Sequence, residues 1–217
     1  MEDDDIGGAE PCLAHLLVDG HPVDPETLRD VARFRTAERA RLMKARQKLS
    51  VAEHAAASAK LTAMLETRVS PQQGMRIAVY WPIRAEPDLR AWMAKAHTAG
   101  AAILLPIVTE QHAPLSFRSW QPGCAMRRGV WNIPVPANGA EAVPDLVISP
   151  LLGVDQTCFR LGNGGGYYDR TLARLEPQPK IIGVGFSHCL MPTIFPMPWD
   201  IPMDSVVLSD GTAFDRP

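Results

Sequence analysis

No apolar run in the 217 residues approaches the roughly 18–20 residues of a membrane span, which argues against a helical membrane protein. The opening residues 1–5 are acidic where a secretory signal needs a basic start and an apolar centre, so a cytoplasmic location is expected. Cysteine is scarce. Cys12, Cys124, Cys158 and Cys189 stand too far apart for a CxxC metal knuckle, and reduced, mostly buried thiols are the expectation. Lys and Arg are missing from the first 26 residues, which carry eight acids, and proline is missing between Glu26 and Ser70. The near-neutral total of −2 argues against a strongly basic nucleic-acid binder, yet it conceals 22 bases against 16 acids after residue 26.

The length favours one domain with some extra chain, and a domain of this size buries about 70% of the surface it exposes unfolded, so neither disulfides nor a structural metal is required. Residues 1–26, acidic and holding Gly7, Gly8, Pro11, Pro22 and Pro25, are expected to be a flexible leader before a single α/β domain over 27–217. The stretch 29–48 carries eight bases against two acids, with Val31, Phe34, Leu42 and Leu49 near helical spacing, and reads as a basic helix. Ser50-Val51-Ala52-Glu53 fits a capping box, in which the Ser and the Glu three residues later satisfy free backbone donors. A second helix is therefore expected over 51–66.

Beyond it, short apolar runs alternate with helical patterns. Residues 76–81, 101–105, 145–149, 180–186 and 205–208 read as strands, and 115–120 alternates as a half-exposed strand would. Pro87 suits the first turn of a helix with Leu89, Trp92, Met93 and Ala96 on one face and Gly100 as its stop. Residues 167–175 read as a further helix. This alternation predicts a three-layer, Rossmann-like α/β fold, a mainly parallel open sheet with helices on both faces.

The most informative segment, Arg160-Leu161-Gly162-Asn163-Gly164-Gly165-Gly166-Tyr167-Tyr168-Asp169-Arg170, follows a buried strand and opens a helix. Four glycines let backbone N–H groups converge on an anion with no side chain in the way, and the helix start adds free donors and a positive dipole end. A phosphate cradle and a surface turn are the two readings of these residues alone. The segment lacks the GxxxxGK[ST] order of a P-loop. A dinucleotide site also fits poorly, because no Asp or Glu ends a strand about 20 residues on.

With Ser149-Pro150-Leu151-Leu152-Gly153-Val154-Asp155 upstream, the segment resembles the signature of the 5-formyltetrahydrofolate cyclo-ligases, also called methenyltetrahydrofolate synthetases. Tyr80-Trp81-Pro82 followed by Glu86, Leu105-Pro106, Trp131-Asn132-Ile133-Pro134-x-Pro136, Ile182-Gly183-Val184-Gly185-Phe186 and Trp199-Asp200-Ile201-Pro202-Met203-Asp204 stand in the family's order. The resemblance spans roughly 33–209 and leaves the leader outside.

The resemblance implies an enzyme that uses ATP and Mg²⁺ to close the 5-formyl group of a reduced folate onto N10, giving 5,10-methenyltetrahydrofolate, ADP and phosphate. The formyl oxygen takes the γ-phosphoryl group, N10 attacks the activated carbon, and phosphate leaves. Such transfer depends on positioning and charge neutralisation more than on a protein nucleophile. By the same resemblance Arg160, Leu161, Gly162, Asn163, Gly164, Gly165, Gly166, Tyr167 and Tyr168 wrap the ATP phosphates, with Arg160 as the charged clamp, and Arg35 and Arg39 reach ATP from the basic helix. Asp169 and Asp204 match acidic positions associated with the metal, a set that suits Mg²⁺ beside phosphate oxygens. Glu86 matches the acid near the formyl group, and Trp81, Trp131 and Tyr167 match folate-contacting positions whose flat faces suit a pterin or aminobenzoyl ring. Arg160, Tyr167 and Glu86 form the implied catalytic set. The partner is a small reduced folate, with no nucleic acid or membrane.

Plainer readings stand beside these. Asp169 also suits a helix dipole, Asp204 a turn with Asp200 four residues away, Glu86 a helix opening, the aromatics a core, and the basic helix a solvated face. Some relatives carry Arg or Lys where this chain has Asn163 and Gly165, Thr36 and Ala40 fall where one register of the basic helix wants bases, and Leu89 stands where Thr is frequent. A binding-only relative is the alternative those missing charges motivate. A Cys158 or Cys189 nucleophile with His188 is another class, but adjacent strand residues face opposite ways, so His188 and Cys189 do not pair.

Overall fold

The computed structural model describes residues 16–18 and 20–217. The first described elements are two short strands, β1 (Leu16–Val18) and β2 (His21–Val23), paired antiparallel. Residues 16–18 and 20–23 of the segment expected to be a flexible leader are therefore placed in a hairpin; Cys12 and the acids of 1–15 lie outside the described residues. Val23 is buried, and Asp24 caps the next helix by accepting from Thr27 N at 2.7 Å.

That helix is α1 (Pro25–Gln47), and Pro25 at its start needs no helical donor. The α2 helix (Val51–Arg68) opens on the expected capping box: Ser50 Oγ accepts from Glu53 N, and the Glu53 carboxylate accepts from Ser50 N. Then follow β3 (Arg76–Ala78), α3 (Arg90–Thr98), β4 (Ala102–Ile107), β5 (Ser116–Trp120), and a small antiparallel pair, β6 (Met126–Arg128) and β7 (Pro134–Pro136). The remaining elements are β8 (Leu146–Pro150), the paired β9 (Gly153–Val154) and β10 (Arg160–Leu161), α4 (Tyr167–Leu172), β11 (Lys180–Gly185), β12 (Ser205–Leu208) and β13 (Ala213–Asp215).

Seven strands form one sheet in the order β13-β12-β11-β8-β3-β4-β5. The five central strands are parallel, and β5 and β13 close the edges antiparallel. Apolar residues on both faces of each central strand explain the arrangement, since such strands must be covered twice. Ile77, Ile103, Leu105, Ile148, Ile182 and Val207 meet Leu61 and Leu65 of α2 and Trp92, Met93 and Ala96 of α3. Ala78, Leu104, Val147, Ile181 and Val206 face the other way, toward Leu172 of α4. The three-layer α/β expectation holds.

Helix α1 packs elsewhere. Its Leu42 joins Leu152, Leu161, Met191 and Ile194 in a third apolar cluster built from connecting segments. The α3 helix starts three residues later than its proline suggested, because Pro87 O accepts from the buried Tyr80 hydroxyl at 2.8 Å and the chain enters the helix only after Leu89. Among the described residues, no helix is long and apolar enough to cross a membrane.

Candidate active site

From β3 the chain passes to β4 on one side, and it later returns to lay β8 on the other. Such a switch point leaves a crevice at the carboxyl ends of the strands. A cavity of about 1240 Å³ opens there, lined by Tyr80 and Trp81 beyond β3, Pro106 and Val108 at the end of β4, and Pro150 of β8.

The glycine loop enters this cavity from the β9–β10 pair. Gly164 and Gly166 hold φ of +97 and +64, which side chains rarely adopt, and a Cβ on Gly166 would meet Arg170 Nη1 at 2.7 Å. Helix α1 lies across the loop. Arg39 donates from Nε to Gly162 O at 2.9 Å, and its guanidinium stands beside Gly164. Burial, with the neighbouring Arg35 charge, lowers the Arg39 pKa. The Arg35 side chain forms an ion pair with Asp200 and donates to Ile194 O at 3.0 Å and Phe195 O at 2.8 Å.

Arg160 is buried, 2.9 Å from Asp169 Oδ1 and over the Tyr168 ring at 5.4 Å. Burial raises the Tyr168 phenol pKa, keeping it neutral. Asp169 Oδ1 also accepts from Ile201 N at 3.2 Å. Arg170 reaches back to Gly165 O and lies over the Tyr167 ring at 5.1 Å. Tyr167 in turn meets Trp131 edge-on at 5.3 Å and accepts from His112 N at 3.2 Å through its hydroxyl. Trp131 is 57% exposed, an unusual state for so large an apolar ring, and it faces the cavity.

Beside the loop stands Glu86, 4% exposed. Its Oε2 accepts from Ile83 N at 3.1 Å, and Asn163 Nδ2 lies 3.4 Å from Oε1. Burial raises the Glu86 pKa, opposed by the Ile83 hydrogen bond and the charge of Arg46.

The cavity thus gathers Arg35, Arg39, Trp81, Glu86, Trp131 and the whole run from Arg160 to Asp169. It does not gather Asp204. That residue precedes β12 at the amino ends of the strands, where it accepts from Ile181 N at 2.8 Å and Arg216 Nη2 at 3.2 Å. Asp169 lines the cavity and Asp204 does not, so the two carboxylates are not brought together there. Sequence reasoning also passed over Asp200, Arg170 and His112, which do line the cavity; Asp200 lies within the Trp199–Asp204 run already singled out. Among the described residues, no group of three or more His, Cys, Asp or Glu is placed to hold a metal. Cys158 and Cys189 are fully buried, and burial pushes both thiols up to about 11, so neither forms a thiolate nucleophile.

The family model for 5-formyltetrahydrofolate cyclo-ligases matches residues 31–209. The chain belongs to that family. The cyclo-ligase of Mycolicibacterium smegmatis is 32% identical over 142 residues, covering 62% of this chain and 73% of that protein. That of Escherichia coli K12 is 31% identical over 139 residues, covering 60% and 76%. The 5,10-methenyltetrahydrofolate synthetase of Aquifex aeolicus superposes with a TM-score of 0.72 at 26% identity, covering 83% of this chain and 92% of that one. A synthetase from Mycoplasma pneumoniae shares the fold, with a TM-score of 0.65 at 22% identity. The cyclo-ligase match contains the glycine loop, Glu86, Trp131 and Asp200, and begins after the β1–β2 hairpin.

Proposed function

We propose that this chain catalyses the ATP- and Mg²⁺-dependent cyclisation of 5-formyltetrahydrofolate to 5,10-methenyltetrahydrofolate, releasing ADP and phosphate, in the cytoplasm. One observation carries the reading: a glycine loop braced by Arg39 and Arg170 shares one cavity, at the switch point of the sheet, with a buried carboxylate, Glu86, that its Asn163 reaches. The loop and its arginines suit the triphosphate, while Trp81, Trp131 and Tyr167 offer flat faces to the folate.

In this reading the formyl oxygen attacks the γ-phosphorus and ADP departs. N10 then attacks the formyl carbon, loses its proton, and expels phosphate. Glu86, its pKa raised by burial, is placed to take that proton. Arg160 holds Asp169 and the loop in register, and Arg39 neutralises charge developing on the phosphates. These two arginine-braced contacts answer the missing charges at Asn163 and Gly165. For the metal, Asp169 is the fitting carboxylate, because both of its contacts among the described residues use Oδ1. Both Asp200 oxygens are occupied, by Arg35 and by Met197 N. One carboxylate with phosphate oxygens and water suffices for Mg²⁺, which when bound draws charge from the β- and γ-phosphates.

The test mixes protein, 5-formyltetrahydrofolate and ATP, with and without Mg²⁺, and follows the methenyl chromophore. Metal-dependent product is expected. No product at high enzyme, with ATP still bound, would replace this reading with that of a binding-only relative.

A further inference from the structure

The turn that carries Glu86 holds two adjacent residues, Arg84 and Ala85, in the left-handed region at φ of +49 and +55. Neither is glycine, and such a pair persists only where surrounding contacts fix it. Within the turn, Glu86 N donates to Ile83 O at 2.9 Å while the Glu86 carboxylate accepts from Ile83 N. Helix α2 supplies the rest. His54 Nε2 lies 3.3 Å from Ala85 O and 3.0 Å from Glu86 O, and one turn along, Ser58 Oγ accepts from Asp88 N at 3.0 Å. Two carbonyl acceptors require Nε2 to carry a proton. The ring is itself held, its centroid 5.4 Å from that of Phe186, and its backbone N–H bonds to Ser50 O at 2.9 Å in the first turn that the capping box fixes.

We propose that His54 is a positioning residue for Glu86: its Nε2–H clamps the left-handed turn and so keeps the carboxylate held at the cavity wall beside Asn163. His54 does not line the cavity and acts through the turn alone. The proposal rests on Glu86 being the group that meets the folate. It places the larger effect on one substrate, because the braces of the glycine loop from Arg39 and Arg170 form without His54 and only Asn163 meets Glu86.

Two substitutions separate the donor from the ring. His54→Phe keeps a ring against Phe186 and removes the N–H; His54→Gln keeps an N–H the same number of bonds from Cβ and removes the ring. With His54→Phe, kcat/KM for 5-formyltetrahydrofolate is expected to fall about tenfold while KM for ATP stays within about twofold, and His54→Gln restores most of the loss. Amide hydrogen exchange gives a readout that needs no turnover: protection over 83–88 should fall in His54→Phe and persist in His54→Gln. Equal protection in wild type and His54→Phe overturns the clamp whatever reaction the enzyme runs. So does an unchanged kcat/KM in active protein, or an equal loss toward both substrates. A wild type that makes no methenyl product sinks the folate reading, and with it the catalytic purpose of the clamp, while exchange still decides whether the clamp exists.

Discussion

Arg35 and Arg39 sit four residues apart on one helix, yet the same side-chain chemistry does different work at the two places. Arg35 spends its donors on Asp200, Ile194 O and Phe195 O, whereas among the described residues Arg39 donates once, to Gly162 O. Arg35→Ala leaves a buried carboxylate unpaired, so it should lower the melting temperature sharply. Arg39→Ala should weaken ATP binding about tenfold, measured by titration calorimetry, with little change in melting. Glu86 gives a second contrast. Replacement by Gln should reduce kcat by about 10²–10⁴ if the carboxylate takes the N10 proton. Its effect on stability has the opposite sign. Because burial holds the native Glu86 pKa above its ordinary 4.5, the contribution of that proton to stability is fully present below pH 4.5 and is lost as pH rises through the raised value. Glu86→Gln lacks this loss, so its melting temperature should rise relative to wild type between pH 4 and pH 8; a constant difference would contradict the raised pKa.

Elements with strong local signals were legible in the sequence, and those defined by distant partners were not. The capping box at Ser50 and Glu53 announced α2, and the apolar runs at 146–148 and 181–184 announced strands, because each signal lies within the element. The β6–β7 and β9–β10 pairs consist of two- and three-residue strands that exist only through their pairing, which no local pattern reports. The same limit governed the candidate site. The glycine loop and Glu86 were legible as motifs, but that Asp200 lines the cavity and Asp204 does not depends on distant partners, Arg35 for the one and Ile181 and Arg216 for the other. At the amino ends of β11 and β12, Asp204 joins the two strands through Ile181 N and Asp204 N donates to Ile181 O at 2.9 Å. Asp204→Asn should therefore lower the melting temperature while leaving the Mg²⁺ dependence of turnover unchanged, as a metal titration of the activity would reveal.

At the scale of the whole molecule, the acidic leader and basic remainder do not divide cleanly into tether and enzyme. Val18 and His21, the residues flanking the tip of the β1–β2 hairpin, line the same cavity as Arg35 and Arg39. A flexible leader ending at residue 26 would make its truncation silent. Removing residues 1–23 while keeping the Asp24 cap should instead raise KM for ATP several-fold without unfolding the protein; unchanged kinetics would return the hairpin to the status of a tether. Helix α1 carries the wider consequence. Its docking contacts lie far along the chain, with Arg46 on Leu151 O, Arg39 on Gly162 O and Arg35 on Ile194 O. At ribosomal rates of about 5–20 residues per second, that helix waits on the order of ten seconds for the surface it covers. A helix synthesised early thus waits on late segments, and the phosphate end of the cavity closes only when nearly the entire chain has emerged.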